Sequence, residues 1–123
     1  MRQFLAIGIL AFPFCAMANW SEYAVQPNGD VHFFDSSRIE RQGNVVTVWT
    51  RVRYKTSIMA ASSYQSRVRI NCVDKSEAIV QSTFFSDREW EKPAMATNKN
   101  AKPAVPVQDK SPSARLMNLV CGL

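Results

Sequence analysis

The sequence predicts an α+β fold: an antiparallel sheet of five or six strands, with one C-terminal helix tethered to the sheet by a disulfide. Three observations predict it. The stretch Asn44–Tyr54 is β-branched and aromatic almost without a break, a composition suited to a pleated, half-buried surface. Ser66–Cys72 repeats the pattern with Val68, Ile70 and Cys72 on one side. The chain closes on a helical pattern whose apolar stripe carries Cys121.

Before any of these comes Met1-Arg2, an apolar run from Phe4 to Cys15, and Ala16-Met17-Ala18. A basic start, a short apolar stretch and a small-x-small site spell a signal peptide over residues 1–18. The run is shorter than the roughly 20 residues a membrane-crossing helix needs, so no transmembrane segment is expected. Lipidation at Cys15 would want small residues before the cysteine, where Phe12-Pro13-Phe14 is bulky. The expected product is a single domain over residues 19–123, periplasmic or secreted, rather than displayed on the outer membrane.

Trp20–Gln26 reads as the first strand, and Asn28-Gly29 as a hairpin turn. Val31–Phe34 returns as the second strand, and Asp35-Ser36-Ser37 turns the chain by side-chain bonds to its own backbone. Arg41-Gln42-Gly43-Asn44 leads into the central strand. Lys55–Gln65 has no clear period and reads as a loop. Glu77–Phe85 is a fifth strand. Ser86–Lys110 is Pro- and Lys-containing and aperiodic, with Val105-Pro106-Val107 as a short edge strand within it, and its Trp90, Lys99 and Lys102 are the alternative binding candidates should the arginine face be only a solvated surface. Ser111-Pro112-Ser113 then supplies an N-cap followed by a proline at the first helical position, Leu116, Met117, Val120 and Cys121 share one face, and Gly122 ends the helix.

Export leaves two cysteines, Cys72 and Cys121, in a compartment that permits disulfides, and they are expected to join. Closing a loop of that length stabilises by about 4 kcal/mol in the chain-entropy account. A helix of about three turns scarcely holds alone, so its apolar face needs the sheet.

Period two also sorts the central strand into faces. Val46, Val48, Thr50, Val52 and Tyr54 point one way; Val45, Thr47, Trp49, Arg51 and Arg53 point the other. If the two strands pair with their apolar sets together, Arg67 and Arg69 join Arg51 and Arg53 on the opposite surface, where like charges directly opposed would repel. One reading is a solvated face with counter-charges from Glu77, Asp87, Glu89 or Glu91. The other is an anion-binding surface, Arg51, Arg53, Arg67 and Arg69, with Trp49 as a stacking element. Trp49 also suits packing under the arginine stems or in a homodimer interface.

The chain carries 15 basic and 10 acidic residues, a net charge of +5. Outside the cytosol nucleic acid is not the expected partner of such a domain; an acidic polysaccharide, anionic lipid headgroups or an acidic protein surface is. Catalysis finds no support. His32 is the one histidine and sits beside Phe33 and Phe34, no serine or cysteine lies in a nucleophile signature, and neither a metal-ligand cluster nor a Gly-rich phosphate loop is present. No enzyme activity and no cofactor are expected.

The spacing of Trp20, Phe34-Asp35-Ser36-Ser37-Arg38-Ile39, Arg41-Gln42-Gly43-Asn44, Trp49, Tyr54-Lys55, Cys72 and the closing Ser113–Cys121 helix resembles the surface-adhesin protein E family of Gram-negative bacteria. The resemblance spans nearly all of the exported chain. It implies an antiparallel sheet with a disulfide-tethered C-terminal helix, an envelope or surface location and, for the member that names the family, binding of host matrix proteins. Two functions therefore stand: a non-enzymatic envelope binding domain of the adhesin kind, and a periplasmic structural or assembly protein with no host ligand.

Overall fold

Strand follows neighbouring strand without a crossover in the computed structural model, which describes residues 18–122. Apart from Ala18, the expected signal segment lies outside those residues. Strands β1 (Trp20–Val25), β2 (Val31–Gln42), β3 (Val45–Ile58), β4 (Ala61–Asn71), β5 (Ser76–Phe85) and β6 (Ala94–Asn98) lie in chain order, all antiparallel. The two-residue β7 (Val105–Pro106) pairs with the start of β5, and helix α1 (Pro112–Cys121) closes the chain. Among the described residues, no helix is long and apolar enough to cross a membrane.

The expected Asn28-Gly29 turn joins β1 to β2. Gly29 takes φ +97°, and a Cβ there would stand 3.0 Å from Lys55 Cγ, so both conformation and space call for glycine. The Lys55–Gln65 loop, by contrast, does not exist. β3 runs on to Ile58, Met59 and Ala60 make a two-residue turn, and β4 starts at Ala61. Both turn residues have positive φ, 49° and 69°, in positions where Asn-Gly is the usual signal. Met-Ala carries no such signal, and the exposed flank Lys55–Ile58 has no burial to impose alternation.

β2 is also longer than expected. It passes through Asp35-Ser36-Ser37 by a register shift between Phe34 and Ile39 and continues to Gln42. β6 was not foreseen: all five of its residues are exposed, so no apolar alternation marks it.

The core fills the face on which Val46, Val48, Val68 and Ile70 lie, joined by Tyr23 and Phe34 and covered by Leu116 and Val120. Burying those two helix side chains stabilises by about 1.5–3 kcal/mol each. Ser111 caps the helix, its Oγ accepting the Ala114 N–H at 3.1 Å, and Pro112 opens the first turn. At the other end no basic residue lies in the last turn, and Arg41 of β2 supplies the cation, donating to the Cys121 carbonyl at 3.2 Å. Cys72 and Cys121 form the disulfide, with Cα atoms 5.8 Å apart.

Candidate binding face

The face opposite the helix carries all five residues expected to form a surface, but the register keeps the arginines apart. Across β3 and β4, Thr47 faces Arg69, Trp49 faces Arg67, Arg51 faces Gln65 and Arg53 faces Ser63. No arginine opposes another, so the anticipated cross-strand repulsion is not there.

Arg51 and Arg53 are held by aromatic rings from three separate parts of the chain. The Arg51 guanidinium carbon lies 4.2 Å from the ring centre of Trp20 and 4.6 Å from that of Trp90, while its Nε donates to Gln65 Oε1 at 2.8 Å. Arg53 lies 5.2 Å from Phe33 and 5.6 Å from Trp90, and those two rings meet edge to face at 5.9 Å. Such cation–ring contacts add about 0.5–2 kcal/mol each, depending on how dry they are. Burial lowers the Arg51 pKa, as does the charge of Arg38, against the opposing pull of Asp35. Arg53 adds an ion pair with Glu89 at 3.4 Å, and its Nε is buried without a partner.

Trp90 reaches this stack because the segment after β5 folds back over the sheet. Asp87 accepts the backbone N–H groups of Glu91 at 3.0 Å, Lys92 at 3.3 Å and Glu89 at 3.3 Å, and these donors hold its carboxyl below the usual range. The Asp87 carbonyl in turn accepts from the buried Ser63 Oγ, Arg88 donates to the Lys55 carbonyl at 2.6 Å, and the Trp90 indole N–H donates to the Tyr64 carbonyl at 3.1 Å. Trp90 itself sits at φ 56°.

Trp49 shares the face, but the cation over its ring is Arg38, at 5.7 Å, rather than Arg51. Arg38 is oriented by Asp35, whose side chain is fully buried and takes the Arg38 Nε–H at 2.5 Å. Burial alone would push the Asp35 carboxyl up. Donation by the Ser37 hydroxyl, the Asn19 backbone, Arg38 and the Ser37 backbone outweighs it and holds the group well below the ordinary carboxylate range.

Of the remaining arginines, Arg67 pairs with Glu40 at 2.8 Å, an exposed bridge of small energetic weight. Arg69 is exposed and has no acidic partner among the described residues. It lines a groove of about 310 Å³ with Lys102, Asn71, Asp74 and Ser76. Of the acidic residues expected to balance the face, Glu89 is the one that pairs with an arginine there among the described residues. Glu77 lies on the helix side and accepts from Ser113 Oγ, and Asp87 is occupied by backbone. His32 is half-buried, with burial lowering its pKa against Asp30 and Nε2 lying 2.7 Å from Gln26 Oε1.

The arrangement is one of cation clamps on a sheet, with a free basic end at Arg69 and Lys102. Sequence reasoning missed Trp20, Phe33 and Arg38 on this face, and offered Trp90 and Lys102 only as part of an alternative surface on the 86–110 segment. The one usable signal was a tryptophan inside an otherwise polar, aperiodic segment.

A family model described as surface-adhesin protein E matches residues 20–122. The chain belongs to the surface-adhesin protein E family. A search of the curated proteins finds no match. The family fold is visible in solved structures of Haemophilus influenzae protein E. One crystal form gives a TM-score of 0.69 at 14% identity, covering 89% of this chain and 92% of that one. A second solved structure of the same protein gives 0.66 at 15% identity, covering 91% and 90%. Protein E from non-typeable Haemophilus influenzae gives 0.64 at 15% identity, covering 89% and 80%. At that identity the likeness shows a shared fold.

Proposed function

We propose that the chain is a non-enzymatic binding domain of the cell envelope, exported through a cleaved signal peptide, which holds an acidic protein or polysaccharide on the sheet face opposite the helix. The observation that carries this reading is Arg69. It faces solvent beside Lys102 on a surface whose other arginines are already engaged by rings or carboxylates. The stacked Arg51 and Arg53 then serve as a rigid, positively charged wall, while Arg69 and Lys102 meet the ligand's carboxylates or sulfates. Family membership and the net positive charge both favour this reading.

Binding of heparin, as a sulfated polysaccharide, tests it. Affinity should be measurable at low salt and fall steeply as salt rises, because exposed charges are screened over about 8 Å at physiological ionic strength. Arg69→Ala combined with Lys102→Ala should weaken binding about tenfold or more without loss of stability. A double variant that binds as well as the parent would remove this face from consideration.

One observation favours a second reading, an envelope assembly protein without a host ligand. The sheet ends in β6, exposed at all five residues and paired only with β5, an edge open to strand addition by a partner. Protease accessibility on intact cells separates the two: digestion supports the adhesin role, and complete protection the assembly role.

A further inference from the structure

The backbone nitrogen of Asn19 donates to Asp35 Oδ1 at 3.0 Å, and the Asn19 carbonyl accepts from the Ser36 N–H at 2.9 Å and the Ser36 hydroxyl at 3.2 Å. Asn19 is thus fixed at both ends of its backbone, ahead of the first residue of β1. Its partner is a fully buried carboxylate. Asn19 is also the residue that follows the small-x-small site Ala16-Met17-Ala18.

We propose that Asp35 is a docking site for the mature α-ammonium group, so that removal of the signal peptide completes the fold. Hydrolysis of the Ala18–Asn19 bond by the export protease adds one water, leaving a carboxylate on Ala18 and an ammonium on Asn19. The nitrogen already in contact with Asp35 thereby changes from a neutral amide donor to a cation. The bond is already charge-assisted through the carboxylate, and the cut adds Coulombic attraction between opposite charges beside a buried group, where screening by water is weak. Before the cut, Asp35 faces one formal cation at bonding distance, Arg38 on Oδ2, and its Oδ1 is met by neutral donors: the Asn19 N–H, the Ser37 N–H at 3.0 Å and the Ser37 hydroxyl at 2.6 Å. After it, each carboxylate oxygen has a cation.

The other charged group bearing on the site is Arg51 on β3, which acts on both Asp35 and Arg38. Glu22, the one charged residue of β1, lies three residues along from Asn19 and opposite Phe33. The ion pair keeps the terminal amine protonated above its ordinary range of about 7.7–8.0. Its stabilisation is therefore complete below that range and is lost as pH rises through the raised value.

The test uses protein recovered after export of the full precursor. Mass measurement should place the N-terminus at Asn19. Acetylating that amine in denaturant at mildly acidic pH, where lysines stay protonated, and refolding should lower Tm by about 4–8 °C at pH 7. A chain that starts at Ala18 keeps the Asn19 N–H bond but moves the charge away, and should melt like the acetylated chain. Where Asp35→Asn folds, acetylation of that variant should have little further effect; where it does not, the Ala18-start chain carries the comparison. An N-terminus elsewhere, or equal melting of the free, acetylated and Ala18-start chains, would overturn the proposal. Heparin binding plays no part in the readout, so this result stands apart from the binding-face test.

Discussion

The indole N–H of Trp90 donates to the carbonyl of Tyr64 at 3.1 Å, and this bond fixes the segment after β5 across the neighbouring strand. With the ring in place, Arg51 and Arg53 both have an aromatic surface to lie on. Trp90→Ala should therefore release the segment and lower stability by about 2–3 kcal/mol. Limited proteolysis should report it, with new cleavage between residues 86 and 93. Trp90→Phe, which keeps a ring but loses the donor, should cost about 1 kcal/mol.

The arginines should separate by partner rather than by charge. Arg51→Ala removes a guanidinium held between Trp20 and Trp90 and should destabilise by about 1–2 kcal/mol. Arg69→Ala touches no partner and should stay within about 0.5 kcal/mol of the parent. Chemical denaturation of the two variants checks this. Equal effects, or a gain in stability for Arg51→Ala, would mean that repulsion dominates the face after all.

Reduction of Cys72–Cys121 should cost up to about 4 kcal/mol, in keeping with the 49-residue separation it closes. The helix should respond first. Far-UV circular dichroism of the Cys72→Ser/Cys121→Ser variant should show helix signal lost at a lower temperature than sheet signal.

Acid should act on half-buried His32 and buried Asp35 with the same sign. The folded pKa of His32 lies below its unfolded value near 6.5, so its contribution is present above that pH and declines as pH falls through it. The folded pKa of Asp35 is also depressed, so its larger contribution persists until pH drops below the unfolded value near 3.9. Tm measured against pH should fall slightly through pH 6.5 and steeply below 4. A folded Asp35→Asn variant should lack the steep limb.

The β3–β4 turn holds two non-glycine residues at positive φ, and Met59 there is 93% exposed. Met59→Asn with Ala60→Gly would place favoured residues in both positions and should stabilise by about 1–2 kcal/mol. A thermal melt without an upward shift would show that the turn is relaxed.

Much of this fold was legible because its determinants are local or strictly periodic. Val46, Val48, Val68 and Ile70 declared their face by period two, Ser111 and Pro112 declared the helix start, and Asn28-Gly29 declared a turn. The Asp35 segment was legible in part: its side chain does accept the Ser37 N–H, yet the strand continues through the irregularity instead of ending. What stayed hidden depends on register and on distant segments. Whether Arg51 faces Gln65 or another arginine is set by the sum of all β3–β4 pairings, and nothing near Arg51 in the chain announces Trp20 or Trp90. β6 was invisible for a different reason, since a fully exposed edge strand needs no pattern.

Because strand order follows chain order, each strand can pair with the one just before it in sequence. The cover over the core cannot. Leu116 and Val120 come after every strand in the chain, so the sheet can zip together while the apolar row of Val46, Val48, Val68 and Ile70 is still bare. For that interval the molecule is a plate with one greasy side, dependent on its surroundings to stay apart from its own kind. Cys121 stands at the end of the helix that ends the interval. Oxidation with Cys72 thus acts as a completion mark, one that a truncated chain cannot acquire.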